Sequence, residues 1–189
     1  EWLASFDDAK AYLMSILVPL GQKVQILVLG CGNSALSADL YDAGFHCVTS
    51  IDYSQVVINA MHEKHAILRP KMRWAVMDMT NLAELETGFF DVVIDKGSMD
   101  ALMVDEGDVW NPIESVQAKV HAMCRDVSRV LNPITGVFMQ ISFMQPHFRR
   151  AYLLGSRWLS LGRDPAGGRD SGIVDGNSPH PDSSSSSLL

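Results

Sequence analysis

The sequence is poor in cysteine, in long apolar runs and in basic residues. Its three cysteines, Cys31, Cys47 and Cys124, are too few and too widely spaced for a disulfide framework, which favours a reducing, cytoplasmic location. No run approaches the roughly 18 consecutive apolar residues of a membrane span, so we expect no membrane partner. The 15 Lys and Arg residues against 22 Asp and Glu give a net charge of −7, which argues against a nucleic-acid partner.

The two ends of the chain differ from its middle. The sequence opens on Glu1 rather than methionine and shows no secretory signal. Residues 162–189 number 28, and 19 of them are Gly, Pro, Ser or Asp, a composition that buries too little apolar surface to offset the entropy of ordering. We therefore predict one folded domain over residues 1–161, truncated at both ends, and a disordered tail over residues 162–189.

Short apolar runs alternate with amphipathic segments along the predicted domain. The predicted strands are 24–29, 47–53, 73–78, 89–95 and 136–143, and the predicted helices are 6–17, 34–43, 54–65 and 116–131. This alternation predicts right-handed crossovers and therefore an α/β fold with a doubly wound, mostly parallel sheet. Ligands of such sheets bind outside the carboxyl ends of the strands.

Three predicted strands end in residues suited to a nucleoside ligand. A Gly-Cys-Gly turn begins at Gly30, where glycine lets the backbone turn tightly and approach a ligand closely. Asp52 ends the second strand, 22 positions after Gly30, where a carboxylate can accept hydrogen bonds from both ribose hydroxyls. Asp78 and Met79 end the third strand, where an acid can accept from the adenine amino group and a methionine can pack on the ring.

A fourth segment follows strand 89–95, which we expect to neighbour the first strand. Lys96 lies there between Asp95 and Asp100, and it can either bind a carboxylate or form a structural ion pair. Asp95 and Asp100 are candidate general bases by position alone. Cys31 precedes a predicted helix, and a helix N-terminus lowers the pKa of a thiol.

These loops favour S-adenosylmethionine over a nicotinamide dinucleotide. None of the four tyrosines, at positions 12, 41, 53 and 152, has a lysine four residues on, as a short-chain oxidoreductase would want. S-adenosylmethionine has no phosphate, and it needs close glycine backbone, a ribose acid, an adenine acceptor and groups for its aminoacyl tail. For each loop alone, an ordinary strand-end turn remains the alternative.

His62 and His65 lie three residues apart on one predicted helix, but the sequence offers no third ligand for a metal ion. We therefore predict no metal site.

Four stretches of the sequence resemble class I S-adenosylmethionine-dependent methyltransferases. They are LVLGCGNSALS (27–37), IDYS (51–54), MDM (77–79) and DVVIDKGSMDAL (91–102). Within that family the chain is most similar to the lysine methyltransferases of translation elongation factor 1-alpha, and the likeness covers about residues 1–150. The resemblance implies a Rossmann-like sheet, S-adenosylmethionine as cofactor and elongation factor 1-alpha as the protein substrate.

The resemblance also implies which residues form the cofactor site. They are Trp2, Gly30, Asp52, Tyr53, Asp78, Met79 and Lys96. In this assignment Trp2 is an aromatic near the cofactor, Gly30 lies against its aminoacyl part and Tyr53 lies beside its ribose. The family's sheet ends with a C-terminal antiparallel strand pair. We expect this pair to be incomplete here, because only five strands are predicted and residues 152–161 are the one candidate for a sixth.

Three functions remain open from the sequence. The resemblance and the four loops favour a protein-lysine methyltransferase. A methyltransferase with a small-molecule acceptor has the same cofactor loops, so the sequence separates the two poorly. A catalytically silent module that binds the cofactor, or only another protein, is the third alternative, because the closing strands are expected to be missing.

Overall fold

The computed structural model describes residues 3–104 and 112–153. Trp2, the domain boundary predicted at residue 161 and the tail predicted over 162–189 lie outside the described residues. The elements in chain order are α1 (Phe6–Leu20), β1 (Ile26–Leu29), α2 (Leu36–Asp42), β2 (Val48–Asp52), α3 (Gln55–His65), β3 (Arg73–Val76), β4 (Val92–Lys96), α4 (Ser98–Val104), α5 (Glu114–Val130), β5 (Val137–Ile141) and α6 (Pro146–Leu153).

The five strands form one parallel sheet in the order β3-β2-β1-β4-β5. β1 pairs with β2 on one side and with β4 on the other, and Val28 has Ser50 and Ile94 as its two register partners. The prediction of a doubly wound, parallel α/β sheet in which β4 borders β1 is thereby confirmed. The strand order reverses between β1 and β4, which makes the carboxyl end of that pair the expected ligand position.

Each face of the sheet carries its own apolar core. Leu27 and Leu29 of β1 face one cluster, in which α4 and α5 contribute apolar residues such as Met103 and Val120. The alternate β1 residues face a second cluster with α1 and α2, represented by Leu13. Successive side chains of a strand point to opposite faces, so a fully apolar β1 is what a sheet covered on both sides requires.

Helix α1 is longer than predicted. Ser5 begins it with a capping box, because its hydroxyl accepts from the Asp8 N–H while the Asp8 carboxylate accepts from the Ser5 N–H. The helix continues past Pro19 and ends at Gly21, whose N–H donates to the carbonyls of Leu17 and Val18. Proline removes one hydrogen bond, and in the last turn of a helix that single loss does not interrupt the remaining bonds.

Two short helices near the carboxyl edge were not predicted. α4 has seven residues, which is too short for apolar periodicity to reveal. α6 begins at Pro146, a residue type favoured at the first helical position. Tyr152 and Leu153, placed by the sequence in a candidate sixth strand, instead end α6, and the rest of that candidate strand lies outside the described residues.

Across the described part of the chain, no helix has both the length and the apolarity to cross a membrane.

Candidate functional site

A cavity of about 610 Å³ lies at the carboxyl edge of the sheet. Strands β1 to β4 reach it through the residues at or just after their ends, and α4 and α5 supply Ala101, Leu102 and Lys119 from the side. Every described residue that the resemblance assigns to a cofactor lines this cavity, namely Gly30, Asp52, Tyr53, Asp78, Met79 and Lys96. Residues from four separate loops therefore meet at one place, the one that the reversal of strand order predicts.

The loop after β1 approaches α4 so closely that only glycine fits. The Ser98 hydroxyl donates to the carbonyls of Leu29 and Gly30, at 2.9 and 3.2 Å. A Cβ atom on Gly30 would lie 2.3 Å from the Ser98 Oγ atom, and Gly30 has a φ of +51°. Gly30 therefore brings bare backbone to the cavity wall. A second, smaller cavity shares Gly30 and Lys96 with the first and extends it along the loop.

Asp52 is held in place by two backbone hydrogen bonds. Its Oδ2 atom accepts the Gly32 N–H at 2.9 Å and its Oδ1 atom accepts the Ser54 N–H at 2.9 Å. A carboxylate has about four acceptor positions, so both oxygens keep capacity for a pair of hydroxyl donors. Tyr53 follows it and is 83% exposed at the rim of the cavity.

Asp78 and Met79 form a small turn on the wall after β3. The Asp78 Oδ1 atom accepts both the backbone N–H and the hydroxyl of Thr80, each at 2.8 Å. Both bonds use the same oxygen, so Oδ2 keeps its acceptor capacity. Met79 is half-buried and packs against the core cluster beneath α4 and α5. Its side chain therefore forms an apolar part of the cavity wall next to the Asp78 acceptor. An adenine ring has an apolar face and an amino donor, which match these two features.

Asp95 and Asp100, the two candidate general bases, are each 1% exposed and do not line the cavity. Asp95 accepts the N–H groups of Ser98, at 2.8 Å, and of Met99, at 3.3 Å, so it caps the start of α4. Its other oxygen accepts from the Gln140 side chain at 2.9 Å. Burial raises the pKa of the Asp95 carboxyl, and these hydrogen bonds oppose that rise.

Asp100 points away from the cavity into a contact between α4 and the end of β5. Its Oδ1 atom accepts the Ser142 hydroxyl at 2.7 Å, and its Oδ2 atom accepts the Phe143 N–H at 3.2 Å. It also forms an ion pair with Arg149 of α6, which is 2% exposed. A role in proton transfer for Asp95 or Asp100 remains a prediction, and neither set of contacts favours it.

The expectation of a lowered thiol pKa at Cys31 is wrong. Burial raises the pKa of Cys31 to about 12, and the negative charge of Asp52 adds to the effect. Helix α2 begins at Leu36 rather than at residue 34, so the thiol lies five residues before the helix and outside its first turn. Cys31 is therefore a small buried core residue and not a nucleophile.

Ser98, Thr80 and Lys119 are among the cavity residues that reasoning from the sequence missed. Ser98 and Thr80 lie inside or beside the quoted motifs, but their hydrogen bonds depend on how the loops fold. Lys119 lies on α5, and only the packing of α5 beside α4 brings it to the cavity.

In residues 3–104 and 112–153, no three His, Cys, Asp or Glu side chains are grouped to hold a metal ion.

Comparison with known proteins identifies related chains. The methyltransferase domain family matches residues 26–134. The chain is 42% identical over 158 residues to EEF1A lysine methyltransferase 4 of Mus musculus, which is 84% of this chain and 60% of that protein. It is 38% identical over 147 residues to the eEF1A lysine and N-terminal methyltransferase of Bos taurus, covering 78% of this chain and 20% of that one. The chain thus spans less than two thirds of the length of either relative.

A similar fold is found among solved structures. The crystal structure of the PH0226 protein from Pyrococcus horikoshii OT3 superposes with a TM-score of 0.56 at 25% sequence identity. The superposition covers 71% of this chain and 55% of that one.

Proposed function

The chain belongs to the methyltransferase domain family, and from this premise we propose that it transfers a methyl group from S-adenosylmethionine to a lysine side chain of a protein. The observation that carries the proposal is the convergence of Gly30, Asp52, Asp78 and Lys96 on one cavity. The names of the relatives support translation elongation factor 1-alpha as the substrate protein. A substrate of that kind also supports a cytoplasmic location.

The residues present fit the proposed cofactor, part by part. Gly30 lines the cavity with backbone alone, which the aminoacyl part can approach closely, and the nearby Lys96 can pair with its carboxylate. Asp52 is fixed to accept from the ribose hydroxyls, and Tyr53 lies beside it. Asp78 and Met79 offer a hydrogen-bond acceptor and an apolar wall for the adenine. We keep Trp2 in this site as a prediction from the resemblance.

Bound S-adenosylmethionine supplies a methyl group activated by a positively charged sulfur. That methyl group would pass to an acceptor nitrogen with a free lone pair, with a neutral thioether as the leaving group. The lysine must first lose a proton, since its unperturbed pKa is about 10.4. The cavity-lining carboxylates Asp52 and Asp78 are on the cofactor side, so we propose that this proton leaves to water as the amine enters. The main tasks of the protein are then alignment and exclusion of water.

The proposal is tested by incubating the chain with S-adenosylmethionine labelled in its methyl group and purified elongation factor 1-alpha. We expect label on a lysine of the factor, located by mass spectrometry of its peptides. Asp52→Asn should reduce the labelling strongly, because it removes the charge that accepts the ribose hydroxyls. Asp7→Asn, on the exposed face of α1, is the matched control and should leave labelling unchanged.

The α-amino group of a protein N-terminus is a second candidate acceptor. It is favoured by the similarity to proteins named as lysine and N-terminal methyltransferases. The same labelled peptides separate the two, because an N-terminal label stays on the first peptide after digestion. Label on small molecules of a cell extract, with none on protein, would contradict both. Cofactor binding without any transfer would show a catalytically silent binding module.

A further inference from the structure

A buried polar network joins three elements on the β4–β5 side of the carboxyl edge. Asp100 of α4 accepts hydrogen bonds from Ser142 and Phe143, which follow β5, and pairs with Arg149 of α6. Asp100 and Arg149 are almost completely buried. The carboxylate is therefore the shared partner of a helix, a loop and a second helix.

The loop held by Asp100 lies next to the cofactor cavity. Ile141 ends β5 opposite Lys96, and its carbonyl accepts the Gly97 N–H at 2.9 Å. Residues 142–145 therefore continue from the cavity wall along the same edge, and Phe143 is 53% exposed there. Apart from Lys96 at the end of β4, the proposed cofactor residues occupy the β1–β3 half of this edge, which leaves the region around the end of β5 as the approach for the acceptor.

Helix α4 has other attachments that do not involve Asp100. Ser98 ties its first turn to the carbonyls of Leu29 and Gly30. Asp95 caps the same turn and is held by Gln140 of β5. The bonds made by Asp100 are therefore not needed to place α4, and what they fix is the position of loop 142–145 and α6 relative to it.

The ion pair is not arranged for stability alone. The Nε atom of Arg149 is buried and has no hydrogen-bond partner among the described residues. An unpaired buried donor costs free energy, and a buried ion pair of this kind is often replaceable by apolar residues without loss of stability. Its position where α4, loop 142–145 and α6 meet is the better reason for a charged pair here.

We propose that Asp100 and Arg149 are positioning residues, which hold the acceptor-side loop 142–145 at a fixed distance from the cofactor cavity. The inference rests on the proposed function, because it assigns the loop to the acceptor of that reaction. Neither residue touches the reacting atoms. They act through the Ser142 hydroxyl and the Phe143 N–H, which set where an acceptor chain meets the cavity.

The test compares three variants of the full chain with the wild type. Arg149→Met alone leaves Asp100 as an uncompensated buried charge and can prevent folding, so the main variant is the double substitution Asp100→Asn with Arg149→Met. Arg149→Lys keeps the charge and serves as the conservative rescue. Arg150→Met, on an exposed neighbour in α6, is the matched control. The readouts are kcat, the KM of the acceptor, the Kd of S-adenosylhomocysteine and amide hydrogen exchange.

In the double variant we expect kcat to fall by about tenfold or more and the acceptor KM to rise, because small misplacements of an acceptor are costly. The cofactor Kd should stay within about twofold, since Asp95 and Ser98 still hold α4. Hydrogen exchange should quicken over residues 142–149 and stay unchanged over residues 98–104. Arg149→Lys should recover part of kcat, and Arg150→Met should behave as the wild type.

Unchanged kcat and acceptor KM in a folded double variant would overturn the inference. So would a loss confined to cofactor affinity, or unchanged hydrogen exchange over residues 142–149. A wild-type chain that binds no cofactor and transfers no methyl group would contradict the proposed function instead. The assignment of the loop to an acceptor would fall with it, and the exchange data would still decide whether Asp100 holds the loop.

Discussion

The two halves of the carboxyl edge use their carboxylates in opposite ways. In the β1–β3 half, Asp52 and Asp78 are fixed by short loop hydrogen bonds and line the cavity. In the β4–β5 half, Asp95 and Asp100 are buried and point into contacts between elements. Three of them lie at or just after the end of a strand, and Asp100 lies in the first turn of the helix that follows β4, so position along the chain does not separate the two pairs.

The difference comes from which N–H groups each carboxylate accepts. A helix begins three residues after both Asp52 and Asp95, but Asp95 accepts first-turn N–H groups of α4, whereas α3 is capped by Ser54. Asp52 instead accepts from loop N–H groups that leave part of both its oxygens for a ligand. A carboxylate at a strand end is therefore open to a ligand only when no helix start or buried arginine takes up its acceptor positions.

The largest effect that we expect on either half is the loss of folding stability in Asp95→Ala. The substitution leaves two N–H groups of α4 and the Gln140 side chain without their buried acceptor, which costs about 3 kcal/mol in total. Denaturant unfolding followed by circular dichroism measures the loss. Asp7→Ala on exposed α1 is the control, and a change in Asp95→Ala no larger than the control's would contradict the structural role.

Asp52→Ala should instead act on the cofactor. We expect the affinity for S-adenosylhomocysteine to fall by about 100-fold, because the charged acceptor of two hydroxyl donors is lost. Isothermal titration calorimetry gives this affinity directly. An Asp52→Ala protein that binds the cofactor as well as the wild type would remove the contrast between the two halves.

Asp95 should also make stability depend on pH. Burial raises its pKa in the folded state above the unfolded value of about 3.9, so the unfolded chain ionises first as the pH rises. The contribution of Asp95 to stability is then complete below the unfolded pKa and is lost as the pH rises through the folded pKa, at up to about 1.4 kcal/mol per pH unit. Unfolding free energies at several pH values should show that the wild type loses stability relative to Asp95→Asn as pH rises. Parallel curves would contradict this.

The smallest effect belongs to Lys119, the one cavity residue from α5. It is half-buried and lies in reach of solvent, so screening limits its electrostatic contribution. We expect Lys119→Met to change cofactor affinity by only about threefold. A loss as large as that of Asp52→Ala, measured in the same titration, would mean that α5 belongs to the binding half of the site.

Much of this architecture could be predicted from the sequence. The apolar runs predicted the strands, because a sheet that is covered on both faces needs apolar strands. The meeting of Gly30, Asp52 and Asp78 could also be predicted, because all three lie at or near the carboxyl ends of parallel strands, which share one edge of the sheet. The prediction failed for α4 and α6, which are short helices formed by tertiary contacts rather than by apolar periodicity.

The roles of side chains were harder to predict than their positions. Asp95 and Asp100 looked like candidate bases because they flank Lys96, yet the sequence cannot show that Gln140 and Arg149 lie against them. These partners are 45 and 49 residues away along the chain. Only the pairing of β4 with β5 and the packing of both α4 and α6 on α5 bring them together.

The cavity beside Gly30 is the proposed binding site for S-adenosylmethionine. The most direct test is calorimetric titration of S-adenosylhomocysteine into the wild type and Gly30→Ala, in which the added Cβ would meet the Ser98 Oγ atom at 2.3 Å. Gly21→Ala is the control, since it has a φ of +83° but open space around it, far from the cavity. We expect binding by the wild type and by the control, and none by Gly30→Ala. Equal binding by all three, or no binding by the wild type, would contradict it.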